Sequence, residues 1–410
     1  MSALHETIGD LAIFGGRPAF AEKLHVGRPN MGDRHRLLER INDILDRRWF
    51  TNGGKYVGEF EHRVAEIAGV KHCIAVCNGT VALEIVVRAL GLTGEVILPS
   101  FTFIATAHAL QWQGIRPVFC DVDPRTHNID PEQVESLITP HTTGIVGVHV
   151  WGRPCDTERL ERVARAHRLR LLFDAAHAFA CSHHGRMIGS FGDAEVYSFH
   201  ATKFINTFEG GAIVTNNSDL AARIRLMKNF GFAGYDNVVY IGTNGKMTEL
   251  SAAMGLTAVE SLEEIVAVNR RNYELYRDGL AGLPGIELVA YDPAEKNNYQ
   301  YVVVTLDSAK LGVSRDDLVR VLHAENIIAR RYFYPGCHRM EPYRSLYHQD
   351  HSLLPCTETL SQSVLSLPTG TCVGPEAIAA ICDILRLVVT HHGEVRQRME
   401  ACESDDGFST

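Results

Sequence analysis

In open α/β sheets, ligands sit just outside the carboxyl ends of the strands, so polar residues that follow apolar runs are the places to look for chemistry. Four such places occur in this chain: Asn78-Gly79-Thr80 after KHCIAVC, Ser100 to Phe103 after EVILP, Asp174 with His177 after LRLLFD, and Ser198 to Lys203 at the end of AEVYSFH. The Asn78-Gly79-Thr80 turn leads into an amphipathic run, so its N–H groups and a helix dipole would suit a phosphate, with the Thr80 hydroxyl as a further donor. An ordinary N-cap uses the same residue types. Asp174 closes an apolar run, where a carboxylate is costly unless it meets a cation or a donor. A protonated pyridine nitrogen would satisfy it; capping of the next helix is the plainer alternative. His177, three residues on, faces the same side if AAHAFA begins a helix. Lys203 is an ordinary solvated lysine unless it borders a cavity, where a depressed pKa would let it form a Schiff base. Phe103 is a core residue unless its ring stacks on a flat heteroaromatic ligand.

Taken jointly, these features have one common explanation. Phosphate donors at a strand-to-helix turn, an aromatic plate, a carboxylate for a pyridinium and a Schiff-base lysine make a pyridoxal phosphate site. The stretch from Asp174 to Lys203 holds one strand and its turns, so both side chains can emerge at one sheet edge.

The elements that must position these residues follow a βαβ rhythm from Lys71 onward. Seven strands are expected between Lys71 and Asn216: KHCIAVC, EVILP, RPVFCDV, TTGIVGVHV, LRLLFD, AEVYSFH and GGAIVTN, with helices between most of them. Continuous apolar strands imply a sheet covered on both faces, hence an α/β fold. The periodic stretch from Thr248 to Leu283 reads as one long connector ending at the LPGI turn. Beyond it, a strand YVVVTLD, a helix SRDDLVRVLHAEN, a strand IIARRYFYP and a helix GPEAIAAICDILRLVV form a compact αβ set. The expected division is a large domain over 1–265 with an N-terminal extension, a smaller C-terminal domain over 266–395, and a mobile tail over 396–410.

Composition removes several function classes. The 410 residues carry 40 Lys+Arg against 49 Asp+Glu, a net charge of −9, so no basic excess exists to bind nucleic acid. Ten scattered cysteines form no C-x-x-C pair and there is no H-E-x-x-H, so no metal site is expected and a reducing cytoplasm fits best. The N-terminus lacks a basic and apolar leader, and no stretch approaches the length of a membrane span.

The blocks CNGTVALEIVVRALGL, EVILPSFTFIATAHAL, PVFCDVDPRTHNIDP, LFDAAHAFA, GSFGDAEVYSFHATKFINTFEGG and NGKMTELSAAMGL together resemble the DegT/DnrJ/StrS-type sugar aminotransferases. GGKYVGEFE and LSLPTG are similar to the family as well. The resemblance implies a fold-type-I homodimer with a mostly parallel seven-stranded sheet and an active site at the subunit interface. It implies pyridoxal phosphate on Lys203 and amino transfer from L-glutamate to a nucleotide-linked ketosugar. Lys203 matches the Schiff-base lysine, Asp174 the partner of the pyridine nitrogen, Phe103 the stacking ring, and Ser198, Gly79 and Thr80 the phosphate donors. His177 stands where many members carry Gln, and either can hydrogen-bond the cofactor's phenolic oxygen. Asn244 and Lys246 match a loop that reaches the cofactor phosphate of the neighbouring subunit. Cys337 and His338 stand where the smaller domain of relatives meets the sugar, with no role carried over. SFHATKF is most similar to members that aminate carbon 4 of dTDP-4-keto-6-deoxyglucose, giving dTDP-4-amino-4,6-dideoxyglucose. A sugar dehydratase using the same cofactor and a non-catalytic sensor are the alternatives; Lys rather than His at 203 argues for amino transfer.

Overall fold

Alternate residues of a strand face opposite sides of its sheet, and in this chain both sides are apolar. The computed structural model describes residues 5–347 and 354–406. The expected seven strands are β1 (His72–Val76), β2 (Glu95–Pro99), β3 (Arg116–Cys120), β4 (Thr142–Val148), β5 (Arg170–Asp174), β6 (Ala194–Ser198) and β7 (Gly211–Thr215). They form one sheet in the order β3-β2-β4-β5-β6-β7-β1, parallel except for β7, which runs against both of its neighbours. Cys73, Ala75, Ile97, Ile145, Phe173 and Tyr197 bury into one face, and Ile74, Val76, Leu98, Val146, Leu172 and Val196 into the other.

Helices cover both faces. α1 (Arg34–Arg47), α2 (Lys55–Ala68), α5 (Pro131–Ser136), α6 (Thr157–His167) and α8 (Glu249–Glu260) pack on the first, and α3 (Gly79–Ala89), α4 (Ile104–Gln111) and α7 (Ser218–Met227) on the second. Asn78, Asp130, Asp156 and Asn217 cap α3, α5, α6 and α7, each side chain accepting from an N–H of the first turn. Because the parallel strands all end at one edge, the turns after β1, β2, β5 and β6 open on the same side of the molecule.

The connector over Thr248 to Leu283 is not one continuous helix. It breaks at Ser261 into α8 and α9 (Leu262–Leu280). The reason is packing: α8 is buried from Ala252 to Val259 against the sheet core, whereas α9 places Ile265 there and then Tyr276 and Leu280 in a second core. The division expected at residue 265 therefore falls inside α9. The second core lies around an antiparallel sheet of β8 (Ile286–Leu288), β9 (Val302–Leu306) and β10 (Val364–Leu367), with α10 (Arg315–Ala324), α11 (Pro355–Ser363) and α12 (Pro375–Thr390). Of the expected strand IIARRYFYP, only Ile327–Ile328 forms a strand; Tyr332 and Phe333 instead turn into the large cavity described below.

Both chain ends close on this second core. α13 (His392–Asp406) runs into the expected tail over 396–410 and buries Val395 and Met399, whose i,i+4 spacing supplies an apolar seam. Residues 407–410 lie outside the described residues. Ile8, Leu11 and Leu24 join the same cluster, and Arg398 of α13 lies 5.6 Å from the centre of the Phe14 ring. A fully buried carboxylate, Glu325, holds the N-terminal segment by accepting from the N–H of Ala12 at 2.6 Å and of Ala19 at 2.7 Å, with His5 Nε2 at 2.9 Å. Replacement of Glu325 by Ala strands those donors at about 1–3 kcal/mol each. The expected outcome is a lowered Tm with new trypsin cleavage after exposed Lys23; an unchanged cleavage pattern would show that the carboxylate does not anchor the segment.

Candidate active site

The turns at the carboxyl edge enclose a cavity of about 820 Å3. It is lined by Gly79, Thr80, Phe103, Asp174, His177, Ser198 and Lys203, so seven of the nine residues matched to cofactor binding in the sequence meet in one place. At one side stands the N-terminus of α3, whose first N–H groups have no intrahelical acceptor. A Cβ on Gly79 would come within 3.1 Å of Ser198 Cβ, so glycine is what lets this helix end approach the Ser198 hydroxyl closely. Donors gathered at a helix N-terminus make a cradle for a phosphate, with the Glu209 carboxylate also in the cavity lining.

Asp174, at the end of β5, is 6% exposed. Its Oδ2 accepts from Thr106 Oγ1 at 2.8 Å and its Oδ1 from the Ala176 N–H at 3.1 Å. Burial raises its pKa, while these two bonds and the nearby Lys203 ammonium pull the other way. Thr106 was not anticipated; it lies one helical turn beyond Thr102, whose hydroxyl is 3.0 Å from its own.

His177 is neutral, because burial and the nearby Lys203 charge hold its pKa well below the ordinary imidazole value. The Trp151 N–H donates to His177 Nδ1 at 3.2 Å, which leaves the ring proton on Nε2. The imidazole is thus an N–H donor in its free nitrogen, the same capacity a Gln amide would offer.

Lys203 sits in a turn held from three sides. Its N–H donates to the His200 carbonyl at 2.8 Å, Asn30 Nδ2 donates to the Phe204 carbonyl at 3.0 Å, and the Phe204 N–H donates to Gln300 Oε1 at 3.5 Å. Burial lowers its amine to about 8, against a smaller opposing pull from Asp174. At pH 7 roughly a tenth of the amine is therefore unprotonated and nucleophilic, far more than for a solvated lysine. Phe103, 56% exposed just before α4, presents its ring to the cavity mouth.

Asn244 and Lys246 lie elsewhere. Lys246 Nζ donates to Asn229 Oδ1 at 3.0 Å and sits 4.6 Å from the Phe230 ring centre, and Asn244 is exposed. Cys337 and His338 are buried beside the turn after β2, with His338 Nδ1 2.6 Å from Ser100 Oγ; neither lines the cavity. Sequence reasoning missed His25, Gly27 and Arg28 of the N-terminal segment, Tyr301 just before β9, and Arg330, Tyr332 and Phe333 just after Ile327–Ile328. Nothing local marks them, since they reach the cavity only through tertiary packing. Among the described residues no group of three or more His, Cys, Asp or Glu could hold a metal ion, and no helix is long and apolar enough to cross a membrane.

A donor cradle, a buried carboxylate, an amine of lowered pKa and an aromatic wall are the functional groups that pyridoxal phosphate requires, so the residues fit that cofactor. The amine itself can be titrated without it. In cofactor-stripped protein, labelling of Lys203 by trinitrobenzenesulfonate, followed by peptide mass spectrometry, should be half-maximal near pH 8, because only the neutral amine reacts. A midpoint near the ordinary lysine value of about 10.4 would show that burial does not depress it.

Comparison with known proteins agrees with this chemistry. The sequence model of the DegT/DnrJ/EryC1/StrS aminotransferase family matches residues 32–386. A dTDP-4-amino-4,6-dideoxy-D-glucose transaminase of Shigella dysenteriae is 39% identical over 76% of this chain and 85% of its own. A GDP-perosamine synthase of Caulobacter vibrioides is 36% identical over 85% of this chain and 93% of its own. The crystal structure of DesI in the presence of its TDP-sugar product shares 53% identity at a TM-score of 0.92, covering 96% of this chain and 100% of that one. By the extent of the family match and the identity to these transaminases, the chain belongs to the DegT/DnrJ/EryC1/StrS aminotransferase family.

Proposed function

We propose that this enzyme uses pyridoxal phosphate to move the amino group of L-glutamate to carbon 4 of dTDP-4-keto-6-deoxyglucose, giving dTDP-4-amino-4,6-dideoxyglucose. The observation that carries the reading is the convergence of Lys203 and Asp174 in one cavity, beside a cradle for a phosphate. The dTDP sugar is favoured over a GDP sugar by the 53% identity to DesI, crystallised with a TDP-sugar, against 36% to a GDP-perosamine synthase.

When bound, pyridoxal phosphate supplies an electron sink for the carbon that loses its proton. The chain's own residues do the rest. Gly79, Thr80 and Ser198 would hold the phosphate, Phe103 would cover the ring, and His177 Nε2–H would donate to the phenolic oxygen. Asp174 would hold a proton on the pyridine nitrogen, and Thr106 keeps that carboxylate aimed into the cavity. Lys203 Nζ, as a neutral amine, takes the proton from the α-carbon of glutamate; in the second half-reaction it works in reverse at the sugar carbon that receives nitrogen.

Purified protein with pyridoxal phosphate should show a visible absorption band that glutamate bleaches, and the ketosugar should restore it with nitrogen appearing in the sugar. Lys203→Ala should abolish turnover. Asp174→Asn should cost about 3–5 kcal/mol of buried pairing, a loss of about 10²–10³ or more in rate. A band indifferent to glutamate, or a product sugar without nitrogen, would overturn the reading.

We further propose a homodimer with the active site at its interface, and a cytoplasmic location, which the free thiols favour. Trp49, Phe50, Phe230, Tyr235 and Ile241 are exposed apolar residues, several of them close in sequence to Asn244 and Lys246, the loop assigned to a neighbouring subunit's phosphate. Sedimentation should give twice the 45.4 kDa chain mass, and Lys246→Ala should weaken cofactor retention. A monomer that turns over would rule out the shared site.

A further inference from the structure

Lys203 Nζ has one hydroxyl close by that the chemistry above leaves unassigned. Tyr301 Oη lies 3.4 Å from Nζ, and Nζ is 5.9 Å from the centre of the Tyr301 ring, so the amine meets the hydroxyl end of the side chain rather than the ring face. The ring is locked. Its centre lies 4.5 Å from that of His177 and 5.5 Å from that of Trp151, the latter edge-on.

The backbone around Tyr301 is fixed just as firmly. The Tyr301 carbonyl accepts from Tyr291 Oη at 2.8 Å, and the same hydroxyl lies 3.0 Å from the Trp151 carbonyl. Asn298 Nδ2 donates to the carbonyls of His177 at 2.9 Å and Phe179 at 3.0 Å, and Gln300 Oε1 accepts from the Phe204 N–H beside Lys203. Residues 298–301 are thus stapled both to the turn that carries His177 and to the turn that carries Lys203, and the hydroxyl is held where the free amine must return.

We propose that Tyr301 is the positioning residue for Lys203, its hydroxyl holding the free ε-amine in place each time the amine is released during turnover. The role rests on the transaminase reading above. Its chemistry follows from what a buried hydroxyl can do. Burial raises the Tyr301 pKa, so it stays a neutral O–H that accepts from an ammonium and donates to a neutral amine. A carboxylate in its place would trap Lys203 as an ammonium; a Phe would leave the amine at the end of a flexible four-carbon stem with no partner. The charged and titratable groups that also act on Nζ are Asp174, His177 and Tyr332, so the effect of Tyr301 must be read against them.

The test is Tyr301→Phe, which keeps the ring and removes only the hydroxyl. In cofactor-stripped protein the pH midpoint of Lys203 labelling should fall by about one unit, because a hydroxyl favours the ammonium over the neutral amine by roughly that much. In loaded enzyme kcat should fall about tenfold with the KM for glutamate unchanged. A labelling midpoint equal to that of the wild type overturns the proposal whatever happens to turnover. A shifted midpoint with unchanged kcat overturns its catalytic half. The labelling needs neither cofactor nor substrate, so failure of the transaminase reading, seen as a wild type that does not convert glutamate, stays distinguishable from failure of this one.

Discussion

The architecture depends on keeping an amine and a carboxylate out of water in the same cavity. Burial lowers the Lys203 pKa and raises that of Asp174, and each group's charge opposes the other's shift. Asp174 is held by Thr106 and the Ala176 N–H, and Lys203 by a turn clamped from three directions. The two residues stand at the ends of parallel strands and the turns beyond them, where the sheet delivers both to one edge.

Part of the cavity wall comes from the N-terminal segment, His25 to Pro29. Glu325 anchors the first residues to the second core, and Leu24 pairs with Ile327 before the chain runs past the cavity as His25 to Arg28. Gly27 passes so near Thr202 that a Cβ would meet it at 2.9 Å, and its φ of +75° is one that glycine adopts without strain. Asn30 then bonds Phe204 and accepts from the Thr371 N–H at 2.9 Å, joining the Lys203 turn to the second core.

Much of the inner half was legible in advance. The seven strands read as apolar runs because both faces of a parallel sheet are buried, and the site residues read as polar interruptions at strand ends. The connector misled because its periodicity continues across Ser261, while the packing partner changes from the sheet to the second core. The tail misled because its apolar content is low on average, yet Val395 and Met399 are spaced to seal one seam. Asn244 and Lys246 matched a family loop, and within one chain they stay apart from the cavity.

By itself the sequence determined the sheet, its order of elements, and the identity of the residues at its carboxyl edge, since periodicity and strand-end polarity are local properties of the chain. The residue types there, a lysine, a carboxylate and a donor-rich helix start, are likewise read from the sequence, and together they narrow the chemistry that is proposed for the site. Only the tertiary structure decided that Thr106 holds Asp174, that Trp151 sets the tautomer of His177, and that Tyr301 and the N-terminal segment reach Lys203. Those contacts join residues tens to hundreds of positions apart, and their partners carry no mark until folding desolvates them together.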